Sequence, residues 1–128
     1  MTAFDTLGRS RHLLLTTYRK TGEAVATPVW VASDDGALVV TTVESGKVKR
    51  ARHTPRVTLS PCSITGSVPK SAVPIAGRVE IVTEPERVRR YVAVLRAKYG
   101  WQFRLTFGSE KKPKGRGAVL ILRITPVD

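Results

Sequence analysis

The chain has 128 residues, 41% of them hydrophobic and 25% charged, which is enough to bury a core without staples, and its one cysteine, Cys62, excludes an internal disulfide. Two histidines give no metal-ligand cluster, no apolar run approaches the roughly 18 residues of a membrane-spanning helix, and Met1-Thr2-Ala3-Phe4-Asp5 lacks the order of a secretory signal. One cytoplasmic domain over residues 1–128 is therefore expected, and a net charge of +12 suits an anionic partner: nucleic acid, anionic lipid or a polyanionic small molecule.

In chain order, residues 4–10 suit a short helical turn, and Arg11 to Lys20 reads as a strand running into the turn Thr21-Gly22-Glu23. Ala24 to Ser33 is the returning strand, with Val25, Thr27, Val29 and Val31 on one face and Ala26, Pro28 and Trp30 on the other. Pro28 cannot donate to a ladder and marks an edge or a bulge, where backbone groups are open to a ligand or simply to water. Asp34-Asp35-Gly36 is a turn signal feeding the β-branched strand 37–43.

Ser45 then predicts a helix start, and Pro55 bars the helix from passing His53 or Thr54. Val48 and Ala51 share its inward face, and the stretch 45–56 carries Lys47, Lys49, Arg50, Arg52 and Arg56 without one acid. Free backbone N–H groups, the positive end of the helix dipole and cations one turn in describe a phosphate site; a solvated connector is the plain alternative.

Arg56 to Pro61 follows as a strand, Cys62 to Val73 as a Ser/Gly/Pro-rich loop, and 74–83 as another strand. Thr83 and Glu86 suit a capping box for a helix ending at Tyr99 before Gly100, with Val88, Val92, Leu95 and Tyr99 buried and Arg87, Arg89, Arg90, Arg96 and Lys98 wet or facing a partner. Trp101 to Phe107 allows either period, Lys111 to Arg116 is a basic loop, and Ala118 to Thr125 is the last strand. Six strands joined by tight turns, with one long helix and one or two short ones, predict a mainly β, antiparallel sheet curled into a barrel.

Thr27-Pro28-Val29-Trp30, Thr41-x-x-x-Ser45-x-Lys47, Pro55-Arg56-Val57 and Ala76-Gly77-Arg78-Val79, in this order, resemble the split-barrel flavin- and deazaflavin-dependent oxidoreductases, the superfamily of pyridoxamine 5′-phosphate oxidase. The similarity covers residues 8–100 and is strongest between 24 and 60, and the short branch that uses the deazaflavin F420 looks most alike. The resemblance implies a six-stranded antiparallel split barrel. Lys47 and Arg50, with Lys49 less central, would hold the cofactor phosphate; Thr41, Thr42 and Ser45 would surround the ribityl chain; the Thr27, Pro28, Val29 and Trp30 backbone would lie along the ring.

The resemblance also implies hydride transfer to an unsaturated small-molecule substrate and a homodimer with cofactor sites at its interface. The phosphate and oligoglutamate tail of F420 suit the basic excess better than FMN does. Thr54 stands where related sequences commonly carry Asn, and the C-terminal residues match poorly. No catalytic residue is assigned. Tyr18 and Tyr91 are candidate proton donors, though core or rim positions suit them better. An oligonucleotide-binding barrel is disfavoured because the aromatics do not interleave with the basic run 47–56, whereas a non-catalytic carrier of flavin, haem or another tetrapyrrole would use the same cradle.

Overall fold

The computed structural model describes residues 3–43, 45–63, 66–70, 72–100 and 119–127; the ambiguous segment 101–107 and the basic loop 111–116 lie outside them. A short helix α1 (Ala3–Leu7) precedes β1 (Leu13–Tyr18), β2 (Ala24–Val29), β3 (Ala32–Asp34) and β4 (Ala37–Thr42). Helix α2 (Gly46–His53), β5 (Arg56–Pro61), β6 (Ile75–Val82), α3 (Pro85–Tyr99) and β7 (Leu120–Pro126) complete the order. All strands join one antiparallel sheet, ordered β2-β1-β5-β6-β7-β4-β3.

The two strands at the sheet's edges, β2 and β3, are separated in the chain only by Trp30 and Val31. A sheet whose opposite edges are joined by two residues has to curl until those strand ends come close, and since β2 and β3 do not pair with each other the barrel is a split one. It also explains why seven strands stand where six were expected: the predicted strand 24–33 breaks at Trp30-Val31 as the chain crosses from one edge to the other. Pro28 lies on the edge strand opposite Leu14, where a missing N–H costs no ladder bond on the open side.

Alternation along the strands sends one set of side chains inward. Leu13, Leu15, Val29, Val31, Leu38, Val40, Val57, Leu59, Leu122 and Ile124 fill the interior. Phe4 and Leu7 of α1, and Val48 and Ala51 of α2, join the same cluster, so each helix buries its apolar face against the barrel. The opposite face of β4 and β7 (Val39, Ile121) meets Tyr91, Leu95 and Tyr99 of α3. Both faces of β4 are thus covered, and all six of its residues are buried.

Local signals set most boundaries. Asp35 and Gly36 both take positive φ (51° and 80°), which gives the two-residue turn that matches hairpin twist. The capping box at Thr83 is not formed: Glu84 occupies the cap position without a side-chain bond to the helix's free N–H groups, and Pro85 starts the helix, its missing N–H being one that needs no partner there. Tyr91 replaces Val88 and Val92 as a fully buried member of the α3 stripe; the two valines are half-buried.

Gly77 shows how closely the interior is filled. A Cβ there would lie 2.7 Å from Cγ2 of Ile124, 3.3 Å from the Thr125 carbonyl oxygen and 3.4 Å from Cδ1 of Leu59. Gly77→Ala is expected to destabilise the fold by roughly 1–3 kcal/mol through overpacking, read from the midpoint of urea unfolding. An unchanged midpoint would mean that β6 and β7 can move apart freely. Among the described residues no helix is long and apolar enough to cross a membrane.

Candidate functional site

Strands β1 and β4 run in the same direction, four antiparallel pairings apart in the sheet, so their final residues lie towards one end of the barrel. Helix α2 leaves β4 at this end, and Val48 and Ala51 press its inward face onto the core. The basic residues are thereby divided. Lys47 and Arg50, three residues apart, are half-buried, whereas Lys49, Arg52 and His53 line an open concavity of about 380 Å³ on another side of the helix. Lys49 thus stands apart from the Lys47/Arg50 pair.

Arg50 is held in place. Its Nε donates to Oγ1 of Thr17 on β1 at 2.6 Å, and Thr17, 1% exposed, makes a long 3.4 Å bond to the carbonyl of Val25. The guanidinium lies back over the start of α2, so close that a Cβ on Gly46 would stand 2.7 Å from Nη1. Lys47 has its pKa pulled below the usual lysine value, first by burial and then by the neighbouring Arg50 charge. Neither residue makes an ion pair among the described residues.

Two hydroxyls nearby in the chain are buried without a hydrogen-bond partner: Oγ1 of Thr41 and Oγ of Ser45. Ser45 occupies the N-cap position of α2, as expected, but its hydroxyl bonds none of the helix's free N–H groups. Thr42, on the other face of β4, turns its hydroxyl to the adjacent Val43 carbonyl at 3.2 Å. Buried polar atoms are seldom left unsatisfied, so each of the two hydroxyls is suited to a further polar contact.

The remaining predicted residues run away from α2. Ala24 of β2 pairs with Tyr18 at the end of β1, and Val29 with Leu13 at its start. Thr27 and Val29 therefore face inward along the edge strand, Pro28 is exposed, and Trp30 reaches the opposite end. There the Trp30 ring stacks on Tyr99 at 4.5 Å, with His12 at its edge. The Thr27–Trp30 segment and the α2 start consequently lie along one barrel rather than in one cluster.

Val31, at the seam, has its polar groups met by α3. Its N–H donates to Tyr99 Oη at 2.9 Å, and its carbonyl oxygen accepts from Lys98 Nζ at 2.6 Å and lies 2.8 Å from Tyr99 Oη. Lys98 also donates to the carbonyls of Gly8 and Ser10, so an exposed side chain, expected to be wet or to face a partner, lashes the N-terminal segment to the seam. Burial of this ammonium, with the Arg11 charge second, lowers its pKa to about 8. Tyr18 and Tyr91 have structural positions: the Tyr18 hydroxyl shares a 2.7 Å hydrogen bond with Thr58, and Tyr91 lies in the α3 core.

Sequence reasoning missed Thr17 and Gly46. The one signal for Thr17 was its inward parity with Leu13 and Leu15, a hydroxyl where an aliphatic would be expected. Gly46 stood inside the quoted motif as an unassigned position.

The architecture is shared with solved structures. An F420 reductase is 20% identical, with a TM-score of 0.66 over 100% of this chain and 96% of its own. A FAD-binding protein from Mesorhizobium loti is 17% identical, with a TM-score of 0.66 over 100% of this chain and 90% of its own. The haem storage protein HutZ from Vibrio cholerae is 12% identical, with a TM-score of 0.70 over 96% of this chain and 87% of its own. At these identities the likeness is one of fold. No curated protein matches the chain. The sequence profile of pyridoxamine 5′-phosphate oxidase matches residues 3–128, beyond the stretch 8–100 in which the motifs lie. The chain, a split barrel of the flavin-binding oxidoreductase type, belongs to the pyridoxamine 5′-phosphate oxidase family.

Proposed function

We propose that this protein is an F420-dependent oxidoreductase acting on an unsaturated small organic molecule. The observation that carries the proposal is the juxtaposition of Lys47 and Arg50 at the start of α2, half-buried and mutually repelling. Two cations held together cost energy that an anionic phosphate would recover, and the helix start adds its N–H groups. The residues fit such a group: Thr41 and Ser45 offer the unpartnered buried hydroxyls, Lys47 and Arg50 the charge.

The deazaflavin, when bound, supplies hydride transfer to and from its ring. The chain's own residues bind and orient it. Arg50 and Lys47 hold the phosphate, Thr41, Thr42 and Ser45 meet the polar chain, and the open backbone edge at Thr27, Pro28 and Val29 meets the ring. Trp30 borders this edge from its stack with Tyr99. Lys49 stands on a different side of α2 and, with Arg52 and His53, suits a longer anionic tail. The charge of +12 favours F420 over FMN, whose anionic charge is smaller. The proposal includes a homodimer with a cofactor site at each side of its interface, which light scattering of the purified protein tests.

Titration with F420 and, separately, FMN and haem, followed by tryptophan quenching at two salt concentrations, tests the cofactor. Micromolar or tighter F420 binding that weakens with salt, with weak FMN binding, is expected. Preference for FMN would keep the fold and change the chemistry. Preference for haem would favour a carrier, and binding of none of these would overturn the proposal.

A further inference from the structure

Resting on that proposal, we infer that Thr17 and Gly46 are positioning residues for Arg50, fixing where its guanidinium meets a bound phosphate. An arginine side chain has several rotatable bonds, and holding it for a planar, two-pronged contact costs conformational entropy on binding unless the protein has already fixed it. Here the fixing has two parts on different elements. On β1, the Thr17 hydroxyl accepts from Nε at 2.6 Å. The remaining guanidinium nitrogens are left to approach a ligand. On α2, the absent side chain of Gly46 leaves the room in which Nη1 lies.

Thr17 suits this role in both position and chemistry. It is buried, faces inward with Leu13 and Leu15, and sits on the last turn-ward residues of β1, at the end where α2 crosses. Its weak 3.4 Å bond to the Val25 carbonyl uses the hydroxyl hydrogen and leaves a lone pair for Arg50. A valine would fill the same volume and pack as well, but could not accept. Gly46 is otherwise a poor choice. In the first turn of a helix, glycine is less favourable than alanine, and the cost is offset only if the space matters.

The two sites lie on different elements, and each substitution is expected to weaken binding without a matching loss of stability, which a merely structural role would not produce. Thr17→Val is expected to weaken F420 and FMN binding about tenfold, with Thr17→Ser restoring most of it. Gly46→Ala is expected to raise or leave unchanged the melting temperature, because the atom it meets is the far end of a flexible side chain, yet to weaken binding as well. In an Arg50→Ala background, neither substitution should weaken binding further. Loss of that coupling, or a Gly46→Ala variant that binds as wild type while Arg50→Ala binds weakly, would overturn the positioning role alone. An Arg50→Ala protein that binds both cofactors as wild type would overturn the phosphate site and the positioning role together.

Discussion

Lys47→Ala combined with Arg50→Ala is expected to cost cofactor binding about 3–6 kcal/mol, two to four decades in Kd, if each charge-assisted contact to the phosphate contributes roughly 1.5–3 kcal/mol. The fold should survive. Both residues flank the buried Val48 and Ala51, which anchor α2 and are untouched. Removing Lys47 should even relieve the ligand-free protein, since its ammonium is desolvated and repelled by Arg50. A drop in affinity without a drop in melting temperature is therefore the expected pair of results. A double variant that binds F420 and FMN as tightly as wild type would place the phosphate elsewhere.

Tyr99→Phe should show the reverse pattern, a loss of stability at a residue distant from the phosphate. The hydroxyl accepts from the buried Val31 N–H and lies 2.8 Å from the Arg11 carbonyl oxygen. Val31 sits between two strands at the point where the chain changes edges, so no ladder partner stands ready to replace Tyr99. Its carbonyl keeps the Lys98 ammonium, but its N–H is left unpaired. One buried unsatisfied donor costs about 1–3 kcal/mol, and at this chain length that lowers the melting temperature by roughly 3–12 °C. Scanning calorimetry of the two proteins checks it, and an unchanged transition would mean that water reaches the seam.

The contrast between these residues also explains what was legible in the sequence. Helix α2, its buried Val48 and Ala51 and its stop before Pro55 depend on neighbours within a few positions, and they follow from the chain directly. The break at Trp30-Val31 does not. Val29 and Val31 keep the same inward parity on either side of it, so the alternation runs on while the hydrogen-bonding partner changes from β1 to β4. Lys98 was expected to stay wet or face a partner because its place on the helix is outside the apolar stripe, and the residue is exposed, but its ammonium is tied to the chain. Its acceptors come from residues 8, 10 and 31, which no helical period can announce.

The same division holds at the site. The cations and hydroxyls of the 41–50 segment are local in sequence, and their types alone suggest an anion. Which of the cations turn together was a question of helical geometry, answered by the separation of Lys49 from Lys47 and Arg50. The bond from Arg50 to Thr17 spans β1 and α2, and only the closed barrel brings them into reach.

The sheet order has a kinetic consequence. Strand β4 forms a hairpin with β3 as soon as Asp35 and Gly36 turn, but its other edge pairs with β7, Leu38 meeting Ile124 and Thr42 meeting Leu120. Such distant pairings are slow to form, and until they do, the edge of a largely apolar strand destined to be buried on both faces remains open. Within a refolding chain β4 is thus the segment through which two molecules would first associate. Refolding yield should fall as protein concentration rises, and the final strand, by covering β4, acts as this fold's own chaperone.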